Sequence, residues 1–424
     1  MCDPPAMAGS APSKRDPYAN PDLARFIGSM EGVPDWVDPA ETHDEREARR
    51  GWRARGHRWL EIAGQLAPGL ALALLLALVG RALAEWAGTA LFGFDDSPIS
   101  PILVAILTGL LIRNTIGLPA VYELGLQLCL KRILRVGVAL LGIRLSLASA
   151  GAIGLSALPV IVACIAAALL IVDRVGRLFG LPRRLGVLIA VGTAICGNTA
   201  IVATGPVIDA SEDEMSYAVG TITVFGLIAL VLYPFLAHGL FGADPLQAGL
   251  FLGTAIHDTA QVAGAGLLYA QQFGAPETLD AATVTKLVRN LFMVVVIPLL
   301  ALLHHRDPMA RRSARRPSFG ELVPLFVFGF IAMAALRTLG DLGDAPFGGA
   351  VDAATWASTI DHVGTLSAWC LTVAMASVGL GTHLRRLRGL GLRPLGVGLL
   401  AAVVVGGISA TLLRAFGGWL PGMG

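Results

Sequence analysis

The stretches GTAICGNTAIVATGP (192–206) and GTAIHDTAQVAGAG (253–266) interrupt two long apolar runs with small and polar residues. Each stretch lies in a segment long enough to cross a bilayer, which needs roughly 20 apolar residues. Lipid offers no hydrogen-bond partner, so unwound backbone at that depth must be buried in protein or line a cavity. The two stretches therefore predict discontinuous membrane helices, the sequence feature that points most directly to an intramembrane binding site.

The composition favours a membrane protein over a soluble one. Of 424 residues, 55% are hydrophobic and 15% charged, and the mean hydropathy is +0.69, which is too high for an ordinary soluble domain. The five cysteines include no CxxC pair, so neither a disulfide framework nor a zinc site is expected. We predict no metal and no cofactor.

Residues 1–64 form a polar region with no early apolar segment, so we expect no signal peptide. Helical spacing of apolar residues near 20–30, and a basic segment at 44–59 carrying Trp52 and Trp59, predict short amphipathic helices at the cytoplasmic headgroup layer. The arginines carry no motif for nucleic acid, and we expect no such partner.

The remainder, 65–424, reads as an all-α polytopic membrane domain with about eleven transmembrane helices. The predicted spans are 65–85, 99–116, 132–150, 155–172, 185–206, 217–239, 246–268, 282–303, 320–338, 362–382 and 394–414.

Charge in the predicted loops sets an orientation. Basic clusters fall on one side, at 46–58, 131–135, 174–184, 306–316 and 385–393, and acidic clusters on the other, at 95–96, 212–214, 277–280 and 341–352. By the positive-inside rule the basic side is cytoplasmic. We therefore expect a bacterial inner-membrane protein in contact with the lipid bilayer, with its N-terminus inside and its C-terminus outside.

Two pairs of segments suggest inverted five-helix repeats, at about 99–240 and 245–414. PILVAILTGLLIRNT, from Pro101, aligns with PLQAGLFLGTAIHDT, from Pro245, and both 132–135 and 286–289 read basic-x-x-Arg. Five spans separate the members of each pair, so they enter the membrane from opposite sides. Such symmetry supports alternating inward-open and outward-open states.

Ionisable side chains inside spans are costly and mark function by default. His257 is suited to relaying protons, Asp258 to carrying a proton or cation, and Gln261 shares a helical face with His257. The alternative is an internal hydrogen-bonded pair that locks helix packing.

Lys286 and Arg289 share one helical face, as do Arg132 and Arg135, and two cationic pairs would suit a small anion passing between them. The alternative is that these long side chains snorkel to the headgroups.

The first interrupted stretch offers uncharged polar groups for a ligand or an ion, with Gly197 permitting unwinding. Its binding candidates are Thr193, Cys196, Gly197, Asn198 and Thr199. The alternative is close packing through small residues.

These motifs, with KLVRN (286–290), SVGLGTHLRRLRGLGLRPL (377–395) and LRVGVALLGIRLSL (134–147), resemble the YeiH family of proposed sulfate exporters. The family is grouped with the cation/proton antiporter and bile-acid transporter superfamily. The resemblance implies a core domain with crossed discontinuous helices that moves against a panel domain. By that analogy spans five and ten would cross, which leaves out interrupted span seven. The resemblance also implies glutamate where this chain has Asp258.

Three functions remain open at this stage. The first is a secondary transporter that exports a small anion such as sulfate, sulfite or a sulfonate, coupled to H⁺ or Na⁺. The second is a cation/proton antiporter, and the third is an intramembrane enzyme using His257 and Asp258, for which no further catalytic motif is found. We expect the chain not to be an enzyme, and a homo-oligomer stays open.

Overall fold

A computed structural model describes residues 52–87, 100–242, 244–304, 324–343, 345–383 and 392–416, and the regular structure within these ranges is helical. The amphipathic helices predicted before residue 52 lie outside the described residues. The helices are α1 Trp52–Trp86, α2 Pro101–Thr115, α3 Glu123–Leu128, α4 Leu134–Leu141, α5 Leu147–Ala167, α6 Asp173–Leu178, α7 Arg183–Ala194, α8 Asn198–Thr204, α9 Glu212–Phe241, α10 Pro245–Ala255, α11 Thr259–Phe273, α12 Glu277–Leu291, α13 Met293–His304, α14 Leu325–Gly340, α15 Ala353–Gly381 and α16 Leu392–Phe416.

Six helical stretches in the described residues are long and apolar enough to span a membrane, which makes this a multi-pass membrane protein. They are Glu61–Trp86, Leu147–Leu178, Glu212–Phe241, Glu277–Leu303, Ala353–Gly381 and Arg393–Ala415, and α2 and α14 are shorter apolar helices. The count of eleven spans and the inverted repeats stay predictions.

The predicted span at 132–150 has the wrong boundaries. A π-helical turn, Cys129–Ile133, joins α3 to α4, and the helix ends in the 3₁₀ turn Gly142–Arg144. Ser146 then caps α5, because its Oγ accepts a hydrogen bond at 3.1 Å from the Ser149 amide.

Both polar stretches break a helix. α7 ends at Ala194 and α8 begins at Asn198, while α10 ends at Ala255 and α11 begins at Thr259. We call α7–α8 the first broken helix and α10–α11 the second broken helix.

The crossing of spans five and ten, expected from the family resemblance, is wrong for this chain. Span ten is α15, which is continuous over 29 residues. Several of its hydroxyl groups bond within their own helix, as Ser377 Oγ does to the Val373 carbonyl at 3.0 Å. Polar residues that satisfy themselves locally give the backbone no reason to unwind.

The helices form two bundles. The first bundle contains α1 to α4, α14 and α15, and the second contains α5 to α13 and α16. An apolar layer joins them, in which Ile106 and Val138 of the first bundle meet Leu230 and Leu267 of the second.

Polar contacts join the bundles at one rim, where α11 ends and α12 begins. Arg144 Nε donates to Asp280 Oδ1 at 2.9 Å, and Ser100 Oγ donates to Gln271 Oε1 at 2.9 Å. The Leu147 amide donates to the Thr338 hydroxyl at 2.8 Å. We call this end of the molecule the linked rim.

Glycines bring α10 against α12. A Cβ on Gly253 would lie 2.6 Å from Thr285 Cβ and 2.8 Å from the Ala282 carbonyl oxygen, and one on Gly249 would lie 2.5 Å from Ala281 Cβ. Real Cβ atoms do not approach so closely, so α10 can hold this position only with glycine at both sites. Close helix packing through small residues is typical of membrane proteins.

Gly253→Ala is expected to destabilise the fold, because the backbone of α12 must move to admit the methyl group. Overpacking of this kind costs about 1–3 kcal/mol. Thermal unfolding of the purified protein in detergent measures the effect. Gly151→Ala in α5 is the matched control, since no atom lies within 4 Å of its added Cβ, and equal unfolding temperatures for the two variants would refute the packing argument.

Candidate functional site

The site is built around two basic side chains of α12. Lys286 and Arg289 are the tenth and thirteenth residues of the 27-residue candidate span Glu277–Leu303, so they lie near its middle. Both are 0% exposed. Snorkelling to the headgroups, one reading of the sequence, is therefore wrong for this pair.

Lys286 closes both breaks with one ammonium group. Its Nζ donates to the carbonyl oxygen of Ile195 at 2.8 Å, to that of Ile256 at 3.1 Å, and to that of His257. The first carbonyl belongs to the first broken helix and the others to the second. All three donors of the ammonium are thereby used.

Arg289 binds the helix ends that precede the breaks. Its Nε donates to the Ala194 carbonyl at 2.6 Å and its Nη2 to the Thr193 carbonyl. Its Nη1 donates to the carbonyls of Thr254 at 2.6 Å and Ile256 at 3.1 Å. The guanidinium therefore holds the ends of α7 and α10 together.

Contacts along α12 fix the directions of the second broken helix. Gly249 of α10 lies against Ala281 and Gly253 against Thr285, so α10 runs parallel to α12. α11 runs back antiparallel to α12, because it begins beside Asn290 and its Gly266 lies against Leu279. The second broken helix is therefore a hairpin whose turn lies at the break.

The carbonyl ends of α7 and α10 explain why two buried cations are tolerated. Each helix C-terminus carries about −0.5 of an elementary charge and several carbonyls without intrahelical partners. In a bilayer such carbonyls have no water to bind. Lys286 and Arg289 supply both the counter-charge and the missing donors.

Asp258 occupies the opposite electrostatic position, at the amide ends of the second halves. Its Oδ1 accepts from the Ala260 amide of α11 at 2.8 Å, and its carboxylate also contacts the backbone amide of Asn198 in α8. One carboxylate therefore bridges the N-termini of both second halves. Negative charge is stabilised at that end of a helix.

Gln261 completes the cap of α11. Its Oε1 accepts from the Asp258 amide at 3.3 Å, and its Nε2 donates to the Thr223 carbonyl at 3.4 Å. A Cβ on Gly226 would lie 1.8 Å from Gln261 Oε1, so this glycine leaves the space that the amide fills.

Gly197 is required by the backbone of the first break. Its φ is +70°, a region that side-chain-bearing residues rarely adopt. A Cβ there would also lie 3.1 Å from Asp258 Oδ2. The absence of a side chain therefore brings the two breaks into contact.

Asn290 belongs to the site, although the sequence analysis assigns it no role beyond the KLVRN motif. It is 1% exposed, and its Nδ2 donates to Thr259 Oγ1 at 3.2 Å. The sequence feature that could have identified Asn290 is its position beside Arg289, because an amide at mid-span is itself an intramembrane polar group.

Several buried polar atoms of the site have no hydrogen-bond partner among the described residues. They are Thr193 Oγ1, Asn198 Oδ1, both ring nitrogens of His257, and Asn290 Oδ1. Buried polar atoms without partners are rare in folded proteins and need an explanation, such as a bound water or ion.

Cys196 and Thr199 lie at the first break but differ in surroundings. The Cys196 thiol is buried and donates to Met293 Sδ at 3.1 Å. Thr199 is partly exposed, as are Asp258 and Thr259. These three residues mark the side from which the site can be reached.

Arg132 and Arg135 are exposed, unlike Lys286 and Arg289. The two cationic pairs therefore do not occupy equivalent environments. Arg135 is close enough to Asp258 to act on it electrostatically, so it contributes positive charge to the site from the first bundle.

Comparison with known proteins places the chain in a family. Residues 68–398 match the family model described as Conserved hypothetical protein 698. The chain is similar to the UPF0324 membrane protein PA5383 of Pseudomonas aeruginosa, with 33% identity over 82% of this chain and 93% of the relative. It is also similar to the UPF0324 membrane protein TauZ of Paracoccus pantotrophus, with 33% identity over 76% and 86%. No solved structure matches.

Lys286→Met and Arg289→Met are each expected to lower the thermal stability sharply. Each buried carbonyl left without a donor costs about 1–3 kcal/mol, and each variant frees several of them. Thermal unfolding in detergent measures the loss, with Arg174→Met as control, because Arg174 is exposed and its Nη1 donates to the Leu170 carbonyl of its own helix. Stable variants that have lost only ligand binding would instead assign these side chains to the ligand.

Proposed function

Because the chain belongs to the UPF0324 membrane protein family, which is also the YeiH family, we propose that it is a secondary transporter that exports a small anion such as sulfate, sulfite or a sulfonate. The proposal makes it a transporter and not an enzyme. It also sets the chain in a bacterial inner membrane with the N-terminus in the cytoplasm, as the charge pattern predicts.

The excess of positive charge at mid-span is the observation that carries the anion proposal. Lys286 and Arg289 contribute two positive charges and Asp258 one negative charge, so one positive charge is left over. Arg135 adds another from the facing bundle. A net charge in a membrane is costly, and an anion bound between the bundles would balance the positive charge left over from Lys286, Arg289 and Asp258.

The position of the site supports transport. Asp258 and Thr259 begin α11, and the neighbouring Ala260 packs against the apolar layer between the bundles. Sites near the bilayer midplane formed by discontinuous helices are typical of secondary transporters.

The contacts at the linked rim support one closed side. Asp280 precedes Lys286 by six residues of α12, which is about 9 Å of helix rise. The ion pair between Arg144 and Asp280 thus lies above the site on one side, while Arg132 and Arg135 are exposed below it. In the predicted orientation the linked rim is the outer one, so we assign the structure to an inward-facing state.

Cation/proton antiport is the second candidate. Asp258 favours it, because a single intramembrane carboxylate that forms no ion pair with the described residues is suited to exchanging a proton for a cation. Movement of Na⁺ driven by an imposed ΔpH without any anion would identify this function.

Efflux of labelled sulfate or sulfite from preloaded proteoliposomes tests the anion proposal. Arg135→Gln is expected to raise the KM roughly tenfold, because the loss of one nearby charge weakens attraction by about 1–2 kcal/mol. Arg174→Gln is the control and should leave the KM unchanged. Efflux no faster than from protein-free liposomes, for both anions and a sulfonate, would overturn the proposal.

Asp258→Asn is expected to separate anion movement from the coupling ion. Asparagine caps a helix as well as aspartate does, so α11 should keep its N-terminus while losing the charge. Efflux should then no longer respond to imposed H⁺ or Na⁺ gradients. Asp361→Asn, at an exposed position of α15, is the control, and a coupled Asp258→Asn variant would remove Asp258 from the coupling role.

A further inference from the structure

Oxygen acceptors collect where the two breaks meet. Asn198 Oδ1 and Asn290 Oδ1 have no donor among the described residues, although Asn198 is 9% exposed and Asn290 1% exposed. Both lie beside the neighbouring residues Asp258 and Thr259. Asn198 contacts the Asp258 carboxylate through its backbone amide, and Asn290 bonds the hydroxyl of the adjacent Thr259 at 3.2 Å.

The chemistry of these atoms selects the ligand. An oxyanion is itself an acceptor and would leave both amide oxygens without donors. A single proton on Asp258 would satisfy one acceptor at most. A hard cation takes several oxygen ligands at once, and carboxylate, amide carbonyl and hydroxyl oxygens are the ligands such cations prefer.

We propose that Asp258, Asn198, Asn290 and Thr259 form a binding site for Na⁺ at the contact between the two broken helices. The carboxylate supplies the charge, the two amide oxygens are the ligands otherwise left unpaired, and the Thr259 hydroxyl offers a further lone pair. The site is distinct from the cationic group of Lys286 and Arg289, whose hydrogen bonds go to carbonyls.

The site deepens the proposed function, on which its role in transport rests. Na⁺ bound at Asp258 offsets the charge of the carboxylate and so raises the net positive charge of the centre by one. The higher charge strengthens the attraction of a doubly charged oxyanion such as sulfate, and the two ions bind cooperatively.

The test is Na⁺ binding to the purified full chain in detergent, followed by thermal shift and by equilibrium binding of ²²Na⁺. Choline chloride keeps the ionic strength constant, and KCl tests selectivity. Na⁺ should raise the unfolding temperature, because a ligand that binds only the folded state stabilises it. It should also lower the apparent Kd for sulfate by at least tenfold.

Asn290→Leu and Asn198→Leu should each weaken Na⁺ binding at least tenfold while the proteins stay folded in choline. Asn290→Asp keeps an oxygen at the same place and should retain binding, which covers the case of a leucine variant that fails to fold. Asn114→Leu is the matched control, because Asn114 bonds carbonyls in the first bundle.

The outcomes separate the two proposals. No ²²Na⁺ binding by the unaltered protein, or equal binding by it and both folded leucine variants, would overturn the Na⁺ site, and sulfate efflux could still proceed. Na⁺ binding that is lost in those variants, together with no response to any anion, would keep the site and reject the anion proposal.

Discussion

Carbonyl groups that end two half-helices inside the bilayer need donors, and the rest of the structure follows from how they obtain them. Lys286 and Arg289 reach residues 193–195 in one segment and 254–257 in another. Because one helix serves both segments, α12 sets their spacing and the depth of both breaks. The close contact through Gly249 and Gly253 is a further consequence, because Lys286 and Arg289 reach the carbonyls of α10 only when α10 lies against α12.

The same arrangement places Asp258. Once the carbonyl ends are joined by cations, the amide ends of α8 and α11 begin side by side, and a carboxylate there stabilises both. The breaks therefore separate the two cations, at the carbonyl ends of α7 and α10, from the carboxylate, at the amide ends of α8 and α11. Hydrogen bonds to backbone carbonyls fix the positive charges of Lys286 and Arg289. Asp258 forms no ion pair within the described part of the chain, so its carboxylate can change its partner.

The sequence predicts the breaks well, because Gly197, Asn198 and Asp258 are out of place in apolar runs unless the backbone unwinds. It also identifies Lys286 and Arg289, but it assigns them to a ligand. Their true acceptors are carbonyls about 30 and 90 residues away in the chain, and backbone groups leave no trace in a residue pattern.

Other features need the folded structure for similar reasons. In the sequence Asn290 resembles an ordinary helical residue, and only the folded structure shows its hydrogen bond to Thr259. Gly226 is important because Gln261 fills the space beside it. The family resemblance misplaces a break in α15, which is continuous over 29 residues. The sequence therefore predicts where polarity is concentrated but not which distant groups satisfy it.

The apolar layer between the bundles has a mechanical consequence. Ile106, Val138, Leu230 and Leu267 meet there through dispersion contacts, which are individually weak and have no required angle. A surface of this kind has no hydrogen-bond register to break, so one bundle can slide past the other over a series of shallow energy steps. The resistance to that sliding is concentrated at the linked rim, chiefly in the ion pair of Arg144 and Asp280, which must break before the bundles can move apart at that end.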